Sequence, residues 1–194
     1  KRISKMCSDM VNVITGNVAI FFPSYELRDK INYFFQHEVN KKIILEKPGL
    51  TKSEKQELID SFKAHSSEGA VLLGAASGSF GEGIDLPGNF LNAVIIVGLP
   101  LAKPNLETQE LINYYDQRFS KGWDYAYVFP AIIKSLQNAG RCIRSETDRG
   151  CIIYLDERYA WDNYKKCFPH DACFKITKLP VESIREFFQL TKVS

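Results

Sequence analysis

No G-x-x-x-x-G-K-[ST] phosphate loop occurs anywhere in the 194 residues, so this chain does not build a Walker-type nucleotide cradle by itself. No C-x-x-C pair occurs either. The five cysteines (7, 142, 151, 167 and 173) are odd in number and the three histidines are scattered, which speaks against a disulfide framework or a metal site. Incidental thiols in a reducing, intracellular setting are expected: cytoplasm in a prokaryote, nucleus in a eukaryote. No run of 18 apolar residues exists, so no membrane span or membrane partner is expected. The net charge of +2 is too small to imply a polyanionic partner, so any basic surface must be local. The opening residues, KRISKMCSDM, show neither an initiator Met nor a signal-peptide core, and a piece of something longer is expected.

What is present is an alternation of strands and helices. Five apolar runs stand out: NVAIFF (17–22), KIIL (42–45), AVLLGA (70–75), AVIIVG (93–98) and GCIIYL (150–155). They are continuous rather than alternating, as parallel strands covered on both faces require. Leu27, Ile31, Phe34 and Phe35 follow helical spacing after Pro23-Ser24, and Thr51 with Glu54 forms a capping-box pattern. Residues 105–119 and about 125–144 read as two further helices, with another around Val181, Ile184, Phe187 and Phe188. The pattern predicts one α/β domain over 1–194, an open sheet of mainly parallel strands with helices on both faces. In such sheets functional loops gather at the carboxyl ends of the strands.

Three segments carry chemistry. In FFPSYELRDKI (21–31), Ser24 stands at a helix start beside Tyr25, an arrangement open to a phosphate contact or to a routine cap with a packed ring. In GAASGSFGEGIDLPGN (74–89), glycines at 74, 78, 81, 83 and 88 would let the backbone approach a ligand. Glu82 and Asp85 could position water or a ribose hydroxyl, or brace the loop. In QNAGRCIRSETDRG (137–150), a helix would bring Gln137, Arg141 and Arg144 onto one stripe, with Ile132, Leu136, Ala139 and Ile143 buried behind it. Guanidinium forks suit phosphate oxygens, although a solvated face is the plainer alternative.

The order of these three segments resembles the second motor domain of superfamily 2 helicases, in the XPD-like group that includes the bacterial DinG proteins. Residues 18–25 resemble motif IV, 78–88 motif V and 137–144 motif VI, and DRGCIIYLDERY (148–159) resembles the closing strand. The likeness runs from about residue 15 to about 170, and departs at Gly81, where the family often has Ser or Trp. The resemblance implies a RecA-like fold and an ATP-dependent DNA helicase, with ATP and Mg²⁺ held mainly by the first motor domain of the same polypeptide. It implies Arg144 as arginine finger, Arg141 beside it, and Gln137 organising the site. Glu82, Gly83 and Asp85 would lie near the nucleotide, while Ser24, Tyr25 and Ser79 would meet single-stranded DNA. Trp123, with Tyr125 and Tyr127, could stack on bases, although aromatics at a helix start are more commonly core. The family's 4Fe-4S cluster belongs to the other half of the protein, with no cysteine here assigned to it. Repair-complex proteins are the implied partners. A non-catalytic interaction module derived from such a domain is the alternative.

Overall fold

A computed structural model describes residues 1–81, 90–143 and 148–190. After α1 (Arg2–Val13), the chain runs β1 (Val18–Phe22), α2 (Tyr25–Phe35), β2 (Lys42–Leu45), α3 (Lys52–Ala64) and β3 (Ala70–Ala75). It continues through β4 (Ala93–Val97), α4 (Leu106–Phe119), a π-helical turn (Asp124–Val128), α5 (Phe129–Ala139) and β5 (Cys151–Leu155). A 3-10 turn (Glu157–Ala160), the short α6 (Asp162–Lys165) and α7 (Pro180–Leu190) follow. The five strands form one parallel sheet in the order β2-β3-β1-β4-β5.

Each central strand is buried on both sides, which is why its sequence shows no polar alternation. Side chains nonetheless divide by parity. Ala19, Phe21, Leu72, Val94 and Ile96 share a core with Ile59 and Phe62 of α3 and with Val128 and Ile132 ahead of and within α5. Val18, Ile20, Leu73, Ile95 and Val97 face the other way, onto Met10 and Val11 of α1, Ile31 and Phe35 of α2, and Ile184 of α7. Buried Asn17 fastens the amino edge: its Nδ2 donates to Phe62 O at 2.9 Å and its Oδ1 accepts from Ala70 N at 2.7 Å.

The strand order places a topological switch between β1 and β4. The chain leaves β1 towards β3 and β2, but leaves β4 in the opposite direction towards β5. The crevice at the carboxyl ends of these strands is where ligands of open α/β sheets bind. Among the described residues no helix is long and apolar enough to cross a membrane.

Candidate functional site

Beyond β1, Pro23 ends the strand and Ser24 adopts an extended conformation (φ −152°) as N-cap of α2. Its hydroxyl accepts from Leu27 N at 3.3 Å while the residue stays exposed. Capping and exposure are compatible, because one lone pair of the hydroxyl serves the helix. The next side chain, Tyr25, turns towards Glu46, which follows β2 and is fully buried. The Glu46 carboxyl accepts Ala75 N on one oxygen (2.9 Å) and Phe80 N on the other (2.8 Å), closing the turn that leaves β3. Burial, joined by the charge and hydrogen bond of Glu46, pushes the Tyr25 phenol up to about 12. The Arg28 charge and the Ser79 backbone pull it the other way by less. Buried Arg28 lies over the Tyr25 ring at 4.8 Å and donates through Nη1 to the Glu46 carbonyl.

The same turn is held from the opposite side. Ala76 N donates to Phe22 O at 2.8 Å, keeping the exits of β3 and β1 together. From α5, Lys134 Nζ reaches Ser77 Oγ at 2.8 Å and buried Asn138 Nδ2 donates to Ala76 O at 3.1 Å. Arg141 Nη2 donates to Gly81 O at 2.7 Å. Residues 76–81 are therefore tied to α2 and β2 on one flank and to α5 and its following turn on the other. Of the sequence-derived site residues, the structure brings Tyr25, Ser79 and Arg141 onto this one segment. Glu82, Gly83, Asp85 and Arg144 lie outside the described residues.

Three expectations need correction. First, the helix expected to run to about 144 ends at Ala139, with Gly140 as its cap, so Arg141 stands in a turn rather than on a helical stripe with Gln137. Gln137 is exposed on the last turn, and Ile143, expected in the core, is 42% exposed. Second, Gly74, Gly78 and Gly81 are required by the protein's own packing, whatever the backbone there approaches, and Gly83 and Gly88 lie outside the described residues. A Cβ at Gly78 would meet the Glu46 carboxyl at 2.4 Å and the Tyr25 hydroxyl at 2.6 Å, and one at Gly81 would meet Ala76 O at 2.4 Å. Protein atoms already fill those volumes. Third, the aromatic cluster is not core. Trp123 is 52% and Tyr125 40% exposed, because α4, against which the π-helical turn leans, buries none of its own residues. The Trp123 ring packs on Tyr127 at 4.4 Å, apart from the hydrogen bonds by which Glu46, Asn138 and Arg141 hold residues 76–81.

The residues missed in the sequence are Glu46, Lys134 and Asn138. Glu46 left one usable signal, an acid set immediately after an apolar strand at its functional end. Of the cysteines, Cys7 and Cys142 are buried, Cys151 and Cys167 half-buried and Cys173 exposed. Burial pushes Cys7 and Cys142 up to about 12 and Cys151 to about 11, so they stay neutral, and all five cysteines are unpaired.

A family model for the helicase C-terminal domain matches residues 7–172. The mouse ATP-dependent DNA helicase DDX11 is 32% identical over 180 residues, which is 80% of this chain and 20% of that protein. The ATP-dependent DNA helicase XPD of Sulfolobus acidocaldarius is 30% identical over 160 residues, 78% of this chain and 27% of that protein. A solved XPD helicase shares the fold with a TM-score of 0.63 at 24% identity, covering 86% of this chain and 29% of that one. The chain thus spans about a fifth to a quarter of the length of the curated relatives it matches. It belongs to the helicase C-terminal domain family, as a second RecA-like motor domain of the XPD/DinG-like superfamily 2 type.

Proposed function

We propose that this domain is one half of an ATP-driven DNA motor, acting with a first motor domain in the same polypeptide. The observation that carries the reading is the double attachment of residues 76–81. One flank is bonded to Glu46, with Tyr25 packed beside it next to Ser24, and the other to Asn138 and Arg141. A segment tied to both flanks transmits a displacement of one to the other, as a motor needs if hydrolysis is to move a strand.

In this reading Arg144 is the arginine finger, Arg141 supports it and Gln137 organises the nucleotide side, with Glu82, Gly83 and Asp85 near the ATP. Ser24, Tyr25 and Ser79 form part of the single-stranded DNA track. Trp123 supplies an exposed ring for stacking. The described residues offer no cluster of three or more His, Cys, Asp or Glu to hold an ion, so none of them is assigned to Mg²⁺. The first domain is assigned that ion, the phosphate loop and the 4Fe-4S cluster. Binding ATP closes the cleft between the domains, hydrolysis reopens it, and the strand advances. Work in DNA repair, beside repair-complex proteins, follows from the same reading.

The reading is tested by measuring ATP hydrolysis of the complete protein with single-stranded DNA, with RNA and with neither. Single-stranded DNA is expected to stimulate turnover several-fold more than RNA. Equal stimulation by RNA would overturn the choice of DNA, and no response to either would overturn the motor.

A further inference from the structure

A carboxyl group with no solvent contact is costly to bury unless hydrogen bonds replace its water. Glu46 is 0% exposed, and both its oxygens are spent on backbone donors five residues apart, Ala75 N at 2.9 Å and Phe80 N at 2.8 Å. The Tyr25 hydroxyl and the same carboxyl lie together against Gly78, the residue before Ser79. Arg28 locks the arrangement from behind, stacked on Tyr25 and bonded to the Glu46 carbonyl. The turn so held presents Ser77 at the surface and Ser79 half-exposed, at the carboxyl edge of the sheet. Gly78 is required because the carboxyl occupies the place of its side chain.

We infer that Glu46 is a positioning residue for single-stranded DNA: with the Tyr25 phenol packed beside its carboxyl, it fixes the 75–80 turn and so sets Ser79 against the strand. This rests on the motor reading above and adds to it a residue that does not itself touch the DNA. Its sign distinguishes it from simple electrostatics. Glu46→Gln removes a negative charge near a polyanion, which by charge alone tightens binding. Positioning predicts the reverse, because the amide sets an N–H₂ against a backbone N–H that needs an acceptor, and the turn loosens.

The test uses the complete protein and a fluorescently labelled oligothymidylate. Glu46→Gln is expected to weaken binding about tenfold and to raise the DNA concentration for half-maximal ATPase stimulation by a similar factor. Turnover at saturating DNA should change much less. The slope of log affinity against log salt is expected to stay as in the wild type, because no phosphate contact is lost. Tyr25→Phe should weaken binding by a smaller factor, and the double variant should bind about as Glu46→Gln does, the two acting as one unit. Binding by Glu46→Gln as tight as wild type or tighter, a loss of turnover in step with affinity, or full additivity with Tyr25→Phe each overturns the inference. Should Glu46→Gln fail to fold, unchanged affinity in Tyr25→Phe overturns it alone. A wild-type protein that ignores single-stranded DNA overturns this inference and the motor reading together, whereas wild-type binding with unaffected variants overturns only this one.

Discussion

Arg144→Ala, made in the complete protein, is expected to lower ATP turnover by ~10³–10⁵-fold while single-stranded DNA affinity changes by no more than about twofold. The expectation comes from the chemistry of the transferred phosphoryl group. Its transition state spreads charge over three equatorial oxygens, and a cation already in place meets that charge without reorganising. A guanidinium suits the task because it stays protonated and can grip two oxygens at once. In the string Q-x-x-G-R-x-I-R, Arg144 occupies the last position, the one the family resemblance assigns to the finger. Steady-state hydrolysis at saturating DNA, paired with a DNA titration, separates the two effects. Normal turnover in the variant would remove Arg144 from the role, and a parallel collapse of DNA binding would point to lost structure instead.

The second large effect is expected at Arg141. Its Nη2 holds Gly81 O at 2.7 Å, so the guanidinium joins the turn after α5 to the glycine segment leaving β3. Arg141→Lys keeps the charge but replaces a planar fork by a single point donor. The ammonium can still donate to the Gly81 carbonyl, but it lacks the planar set of N–H groups that the guanidinium presents beside that bond. Turnover is therefore expected to fall by ~10²–10³ in the lysine variant, nearly as far as in Arg141→Ala. The check is kcat for both variants at saturating ATP and DNA. Recovery of most activity by lysine would show that the planar fork is not needed there.

Much of this architecture was legible in the chain. The five apolar runs become the five strands with boundaries shifted by no more than one residue, because continuous burial leaves a strong signal. The Thr51–Glu54 capping box forms as its spacing predicts, with Thr51 N donating to Glu54 Oε2 at 2.8 Å. By contrast α1 is absent from the sequence reading although Cys7, Met10, Val11 and Ile14 keep helical spacing, because polar residues share its buried face. Two of its buried positions are Ser4 and Ser8, and Ser8 is accommodated by a hydrogen bond to Glu38 Oε2 at 2.8 Å, thirty residues away. The end of α5 was misjudged because Ile143 continues the apolar period, whereas Gly140 ends the helix first. The partners of Glu46 could not be foreseen, since Ala75 and Phe80 come near only when β2 pairs with β3. Trp123 and its neighbours had the composition of a core without a partner layer, and only the docking of α4 shows that they stay at the surface.

The central claim is that this domain supplies half of an ATP site. Titration calorimetry of Mg·ATP into the isolated 194-residue chain, and into the complete protein, tests it most directly. Binding is expected from the complete protein, with no measurable heat of binding from the chain alone. Stoichiometric binding by the isolated chain, as tight as that of the complete protein, would contradict it.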